Sequence, residues 1–264
     1  MTEFAALLGI ACSAIDQASR LVTSMDIGVV TSKGDRDMVS EIDYAVEDIV
    51  HSFLLSETPE IGFLGEENGG ADLARRTTWV LDPVDGTANL VKGLPLCAVS
   101  LGLVQGARSV LGVVDLPFGA LRYRAAEGQG AYCGDSRIYP SATADVRDAI
   151  IAIGDYAVGV GATIPNSRQL ALTALLAKRA LRVRMLGSAA IDLVWVACGK
   201  LDASITLSNN PWDMAGGTAI AREAGVSVLD ADGTPHNVTS SSTVCVAPPL
   251  EEALTQLLAS AKVM

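Results

Sequence analysis

Apolar positions along this chain come in two rhythms, and their alternation predicts the elements. The apolar stretch at residues 4–14, flanked by Glu3 and Asp16, predicts an amphipathic helix. A polar loop at residues 32–37 follows. Ser40 then predicts the cap of a helix in which Asp43, Glu47 and Asp48 alternate with Ile42, Val46, Ile49 and Phe53. Short apolar runs at 61–64, 79–81, 98–104 and 110–116, followed by a Gly-rich hairpin-like stretch at 128–134, predict a sheet meander. From residue 149 onward strands at 149–153, 181–186, 203–207, 226–229 and 243–247 interleave with helices at 167–179, 191–198, 213–224 and 249–262. The pattern predicts a layered α/β or α+β protein, with residues 140–145 as the one candidate boundary.

Composition narrows the class. The 264 residues are half hydrophobic, enough for a large core in one or two domains, and no repeat or low-complexity tract interrupts them. A net charge of −11 disfavours direct binding to nucleic acid or to an anionic membrane. It equally disfavours a phosphate substrate unless cations intervene. The five cysteines, Cys12, Cys97, Cys133, Cys198 and Cys245, are scattered and form no C-x-x-C pair. That argues against a disulfide framework or zinc knuckle and for a reducing, cytoplasmic compartment. No basic residue precedes the first apolar stretch, so it reads poorly as a signal peptide, and no apolar run approaches the roughly 20 residues that cross a bilayer. Arg well in excess of Lys, with abundant Ala and Val, points to a GC-rich bacterial source.

The chemistry concentrates at residues 79–89, WVLDPVDGTAN. The apolar Trp79-Val80-Leu81 run predicts a strand, and Asp82 and Asp85 fall on the turn where it ends. Pro83 biases Asp82 toward extended backbone, and Gly86 permits a turn that a Cβ would resist. From Thr87 a helix can begin with its free N–H groups facing whatever the two acids hold. Glu66 and Glu67 follow the strand candidate at 61–64; alone they read as solvated charge, but a second acid-bearing strand end lies 16 residues on. Two such ends at one sheet edge bring carboxylates together. Asp43, at the front of its helix, reads by spacing alone as a helix-dipole acid. The two histidines, His51 and His236, are not ligand-spaced, so an oxygen-only site for a hard cation such as Mg²⁺ is expected.

Asp82-Pro83-Val84-Asp85-Gly86-Thr87 with Asn89 resembles the Asp-Pro-x-Asp-Gly-Thr-x-Asn signature of the inositol monophosphatase family of magnesium-dependent, lithium-sensitive phosphatases. Residues 37–43 (DMVSEID), 64–67 (LGEE) and 212–217 (WDMAGG) resemble three further signatures of that family, in its order. The resemblance implies an α+β fold, a layered α-β-α-β-α sandwich forming one unit over residues 1–264. Its N-terminal half, 1–143, would carry most metal ligands, and its C-terminal half, 144–264, the Trp-Asp motif and substrate-side segment. It implies hydrolysis of a small phosphate monoester, inositol 1-phosphate first, by two or three Mg²⁺ ions, in a homodimer. Glu66, Asp82 and the Val84 carbonyl would hold one metal, and Asp82, Asp85 and Asp213 a second. Glu66, with Thr87 and Asp43 behind it, would orient the attacking water. Asp85, Gly86, Thr87, Gly187, Ser188, Ala189 and Thr206 would face the substrate.

Three features qualify that transfer. Gly187-Ser188-Ala189-Ala190 resembles a substrate-positioning segment, yet Ser188 reads equally well as an ordinary N-cap. Thr206 stands where the family usually has an inositol-binding acid, which leaves histidinol phosphate, fructose 1,6-bisphosphate and 3′-phosphoadenosine 5′-phosphate open as substrates, and binding to the transcription machinery open as a non-enzymatic role. Lys33 resembles the family's loop lysine at a spacing to Asp37 one residue shorter. Residues 226–234, VSVLDADGT, mimic a haloacid-dehalogenase nucleophile motif, but with too little chain after Asp230 for that fold the reading is a tight Asp-Gly turn.

Overall fold

The computed structural model describes residues 3–34, 37–70 and 77–260. Asp35, Arg36 and the predicted helix end at Lys262 lie outside the described residues. A seven-stranded sheet runs in sequential order through β3 (Gly62–Gly65), β4 (Thr77–Asp85), β5 (Ala98–Gln105), β6 (Arg108–Leu116), β7 (Leu121–Ala126), β8 (Ala131–Cys133) and β9 (Ser136–Arg137). Every neighbour is antiparallel except β3 and β4, which run parallel and so end at the same edge. A five-stranded sheet takes the order β11 (Arg182–Arg184), β10 (Ile150–Ile153), β12 (Ala203–Thr206), β14 (Thr243–Val246), β13 (Ser227–Leu229). A small hairpin of β1 (Val30–Gly34) and β2 (Asp37–Ser40) stands apart from both.

Alternation along the strands decides which helix covers which face. Trp79, Leu81, Leu101, Leu103 and Leu111 point into one core with Ile15 of α1 (Glu3–Ser24) and Ile42 and Val46 of α2 (Glu41–Glu57). Val114, Tyr123 and Ala125 point the other way, toward Ile191 and Val194 of α5 (Ala189–Ala197) and Ile220 of α6 (Pro211–Ala224). Beyond the second sheet, Leu172 and Leu176 of α4 (Thr163–Arg179) and Leu254 and Leu258 of α7 (Glu251–Ser260) pack on Ile151, Ile205 and Val244. Helix, sheet, helix, sheet, helix is the α+β layering expected.

The middle layer lies unusually close to the large sheet. A Cβ at Gly112 would stand 2.1 Å from the Gly216 carbonyl oxygen, and one at Gly102 would stand 2.6 Å from the Ala215 carbonyl carbon. Glycines on β5 and β6 therefore let the α6 backbone rest directly on the strands.

Two elements differ from expectation. Helix α1 continues to Ser24, long and apolar enough by length and composition to span a bilayer, contrary to the reading that no run reaches that length. Its stripe of Leu8, Ala11, Ile15, Ala18 and Val22 is buried in the first core, and Asp16 on the opposite side pairs with Arg122. Helix α4 starts at Thr163, before the predicted Ser167, because Pro165 in the first turn lacks only an N–H that would have no intrahelical partner. The Asp-Gly turn is as predicted: Gly233 N–H donates to the Asp230 carbonyl at 2.9 Å, and the Asp230 carboxylate receives Ser240 and Ser242 hydroxyls.

Candidate active site

The register of the parallel pair sets the site. Gly65 is matched to Leu81, so the next residues, Glu66 and Asp82, leave side by side. The strand does not end at Asp82, as the sequence suggested, but runs on through Asp85 with a bulge. Asp82 pairs with Ser100 and Asp85 with Ala98, so Pro83 and Val84 together oppose Val99. Pro83 has no N–H to lose from the ladder, and the extra residue re-aims the two acids. Asp82 is consequently buried, 2% exposed, with its Oδ1 accepting from Val84 N–H at 3.1 Å. Gly86 then turns the chain with φ +94°, where a Cβ would meet the Leu96 and Gly187 carbonyl oxygens, and Thr87 opens the short helix α3 (Thr87–Val91).

Each acid around this turn is held by a different element. Asp43 closes a capping box on α2: its Oδ2 accepts from the Ser40 N–H and hydroxyl, as a helix-terminus acid should. Its Oδ1 accepts from the Thr87 hydroxyl at 3.0 Å, so the same residue also belongs to the site. The Thr87 hydroxyl lies equally 3.0 Å from the Val84 carbonyl. Asp85 receives the Ser188 hydroxyl at 2.5 Å and the backbone N–H groups of Ala189 and Ala190. A protein carboxylate thus occupies the N-terminus of α5, where Ser188 is also the N-cap accepting from Ile191 N–H. The N-cap reading of Ser188 holds, and the Ala189 amide is engaged by Asp85. Asp213 caps α6, accepting from Asn210 N–H at 2.8 Å, with Pro211 in the first turn. Asn89 ties α3 to the segment before α5 by donating to the Leu96 and Leu186 carbonyls.

Burial, with crowding added to it, makes Asp82, Asp85 and Asp213 reluctant to ionise. Asp82 is pushed well above the usual carboxylate range by burial, then by repulsion from Asp85, Glu66, Asp213 and Asp43. Burial raises Asp213 to about 7, with Asp85 and Glu66 adding to it against the Asn210 bonds. Asp85 rises to about 6 because burial outweighs its three hydrogen bonds. Lys33 reaches the front of the site from β1 and donates to Glu66 at 3.0 Å and Glu67 at 2.5 Å, despite its shorter spacing. Glu67 is itself raised to about 7, by burial ahead of the opposing Lys33 bond. Among the described residues no three His, Cys, Asp or Glu side chains close on one point as a ready-made metal cage. Each acid is held by its own partner instead.

The chemistry of the donors nonetheless suits a hard cation: buried, mutually repelling oxygens, with no imidazole among them. His51 stacks on Phe63, and His236 bonds Thr243, its imidazole pushed down to about 4 by burial.

A pocket of about 600 Å³ opens beside Asp85 and Asp213. Gly187, Ser188, Ala189 and Thr206 line it, Gly86 and Thr87 do not, and Asp155, Arg168 and Asp192, which the sequence did not reveal, join the lining. These last arrive from a post-strand loop, α4 and α5, and no local spacing joins them. Glu66 and Glu67 look alike in sequence, and Lys33 binds both.

The model of the inositol monophosphatase family matches residues 1–263. Inositol monophosphatase 1 of Solanum lycopersicum is 34% identical, over 95% of this chain and 94% of its own. Inositol-1-monophosphatase ImpA of Mycolicibacterium smegmatis is 33% identical, over 98% and 94%. The crystal structure of the extragenic suppressor protein suhB from Bartonella henselae superposes with a TM-score of 0.88 at 29% identity, covering 96% of this chain and 98% of that one. Fold and family make the chain a phosphoric monoester hydrolase. The chain belongs to the inositol monophosphatase family, whose members are metal-dependent.

Proposed function

We propose that the protein hydrolyses a small polyol phosphate, inositol 1-phosphate first, in a Mg²⁺-dependent reaction with direct attack by water and no covalent enzyme intermediate. The observation that carries the reading is Asp82: a 2%-exposed carboxyl, repelled by four other acids, is a costly arrangement unless a cation neutralises it. Glu66, Asp82 and the Val84 carbonyl would hold one ion, and Asp82, Asp85 and Asp213 another. When bound, two or three Mg²⁺ ions offset the acids, draw in the phosphate, lower the pKa of a water and stabilise the departing alkoxide.

The chain's own groups supply the orientation. Thr87 donates its one proton to Asp43 or to Val84, 3.0 Å away in each case, which leaves its oxygen lone pairs turned to an incoming water. Asp43, fully buried and fixed by Ser40, holds that hydroxyl in place. Glu66, which accepts from Lys33 at 3.0 Å, would orient the attacking water together with Thr87. Ser188, by bonding Asp85 and capping α5, fixes the wall against which the leaving group rests. Five free cysteines support a reducing cytoplasm, and homodimerisation rests on the family resemblance.

The test is phosphate release from inositol 1-phosphate, histidinol phosphate, fructose 1,6-bisphosphate and 3′-phosphoadenosine 5′-phosphate, with Mg²⁺ and with a chelator. Chelator-sensitive turnover of a polyol phosphate is expected. Turnover that survives the chelator, or silence across the panel with the protein folded, would overturn the assignment.

A further inference from the structure

The sequence lacks an acid at Thr206, yet the pocket beyond the metal ligands contains two acids of its own. Asp192 lies in the first turn of α5, 3% exposed, at the pocket wall, and its Oδ1 is buried without a hydrogen-bond partner. A carboxyl oxygen left so is destabilising, and its retention at a pocket wall points to a donor brought by a ligand. Asp155 stands at the exposed rim of the same pocket, close enough that its charge acts on Asp192.

The segment bearing Asp155 is fixed rather than free. Gln169, itself buried, donates to the Gly154 carbonyl, and Asn166 exchanges two hydrogen bonds with the Ala157 backbone, so α4 clamps residues 154–157 from both sides. Arg168 is the only Lys or Arg among the described residues lining the pocket, against Asp85, Asp155, Asp192 and Asp213. After the two ligand acids are neutralised by metal, the leaving-group side still carries two carboxyl groups and one guanidinium.

We propose that Asp192, with Asp155 at the rim, accepts hydrogen bonds from the leaving group and does the work that an acid at position 206 would do. This rests on the phosphatase reading and narrows it. The preferred substrates are monophosphates whose leaving group offers hydroxyl or ammonium donors near the ester, and a leaving group carrying a second phosphate is disfavoured by the same two acids. Burial raises the Asp192 carboxyl well above the usual range, with Asp85 and Asp155 adding to it. Asp192 is a specificity residue, remote from the reacting bond.

The experiment compares kcat/KM for inositol 1-phosphate, histidinol phosphate and fructose 1,6-bisphosphate with that for p-nitrophenyl phosphate, an ester whose leaving group has no donor. Wild type, Asp192→Asn and Asp155→Asn are measured with Mg²⁺, and each variant's melting curve is recorded. Asp192→Asn is expected to lower the preference for inositol 1-phosphate or histidinol phosphate over the aryl ester about ten-fold, mainly through KM, the size of one lost hydrogen bond to a carboxyl. Whichever of those two substrates responds identifies the donor as hydroxyl or ammonium. Asp155→Asn, at an exposed position, gives a smaller shift in the same direction and covers the case in which Asp192→Asn fails to fold. An equal fall on all four esters would make Asp192 structural and overturn the proposal while leaving the phosphatase reading intact. A wild-type preference for fructose 1,6-bisphosphate would also overturn it. Absence of turnover on every ester would instead remove the phosphatase reading itself.

Discussion

Gly112→Ala tests whether the close contact between α6 and the large sheet also places the site. The added Cβ would sit 2.1 Å from the Gly216 carbonyl oxygen, 2.9 Å from its carbon and 3.1 Å from its Cα. All three neighbours are backbone, so no side chain can swing aside. To restore ordinary contact near 3.4 Å the helix must move off β6 by roughly 1.3 Å. Overpacking of this kind costs about 1–3 kcal/mol, and with backbone as the obstacle the upper end is expected. For a chain of this size that lowers Tm by about 2–12 °C. The same movement carries Asp213, in the first turn of α6, away from Asp82 and Asp85. A misplacement of about 1 Å costs catalysis on the order of 100-fold. The control is Gly9→Ala on α1, where nothing stands within 4 Å of the new Cβ and helix propensity favours alanine by about 0.5–1 kcal/mol. Thermal melting by circular dichroism and phosphate release with Mg²⁺ are measured on both. A Gly112→Ala protein that melts and turns over like wild type would refute the close-packing reasoning.

Two further outcomes follow from the site. Without metal, stability should fall as pH rises. Asp213 and Glu67 titrate at about 7 and Asp85 at about 6 when folded, above the unfolded range near 4, so their contribution is greatest below about pH 4 and lost as pH passes through 6 to 7. Melting from pH 4 to 8 in EDTA and in Mg²⁺ checks this: the metal should flatten the slope, and His236, whose buried ring titrates with the opposite sign, is common to both curves. Identical slopes would contradict the crowded-acid account. Thr87→Val removes the hydroxyl between Asp43 and Val84 and should lower kcat by about 10²–10³-fold with little change in Mg²⁺ affinity. Unchanged kcat would exclude Thr87 from orienting the water.

Much of the architecture could be read from the chain because its signals are local. Ser40 and Asp43 form their cap within one turn, and the nearly continuous apolar runs of β5 and β6 are buried on both faces, as such runs predict. The acids Glu66, Asp82, Asp85 and Asp213 were also visible, through motif resemblance more than through spacing. What escaped depends on tertiary contact. The bulge at Pro83 and Val84 is defined by Val99 on the neighbouring strand, so a turn and a bulged strand look the same in sequence. Lys33 meets Glu66 across more than thirty positions, and the two pocket acids, Asp155 and Asp192, meet only when β10, α4 and α5 are assembled.

The most direct measurement is calorimetric titration of Mg²⁺ into wild type and Asp82→Asn at pH 7.5, with circular dichroism confirming that both are folded. The account predicts saturable binding to wild type that Asp82→Asn loses by at least about ten-fold in affinity, with phosphate release lost in parallel, because Asp82 is shared by both proposed ion positions. Equal Mg²⁺ affinity in the two proteins would contradict the claim that this buried carboxyl is there to hold metal.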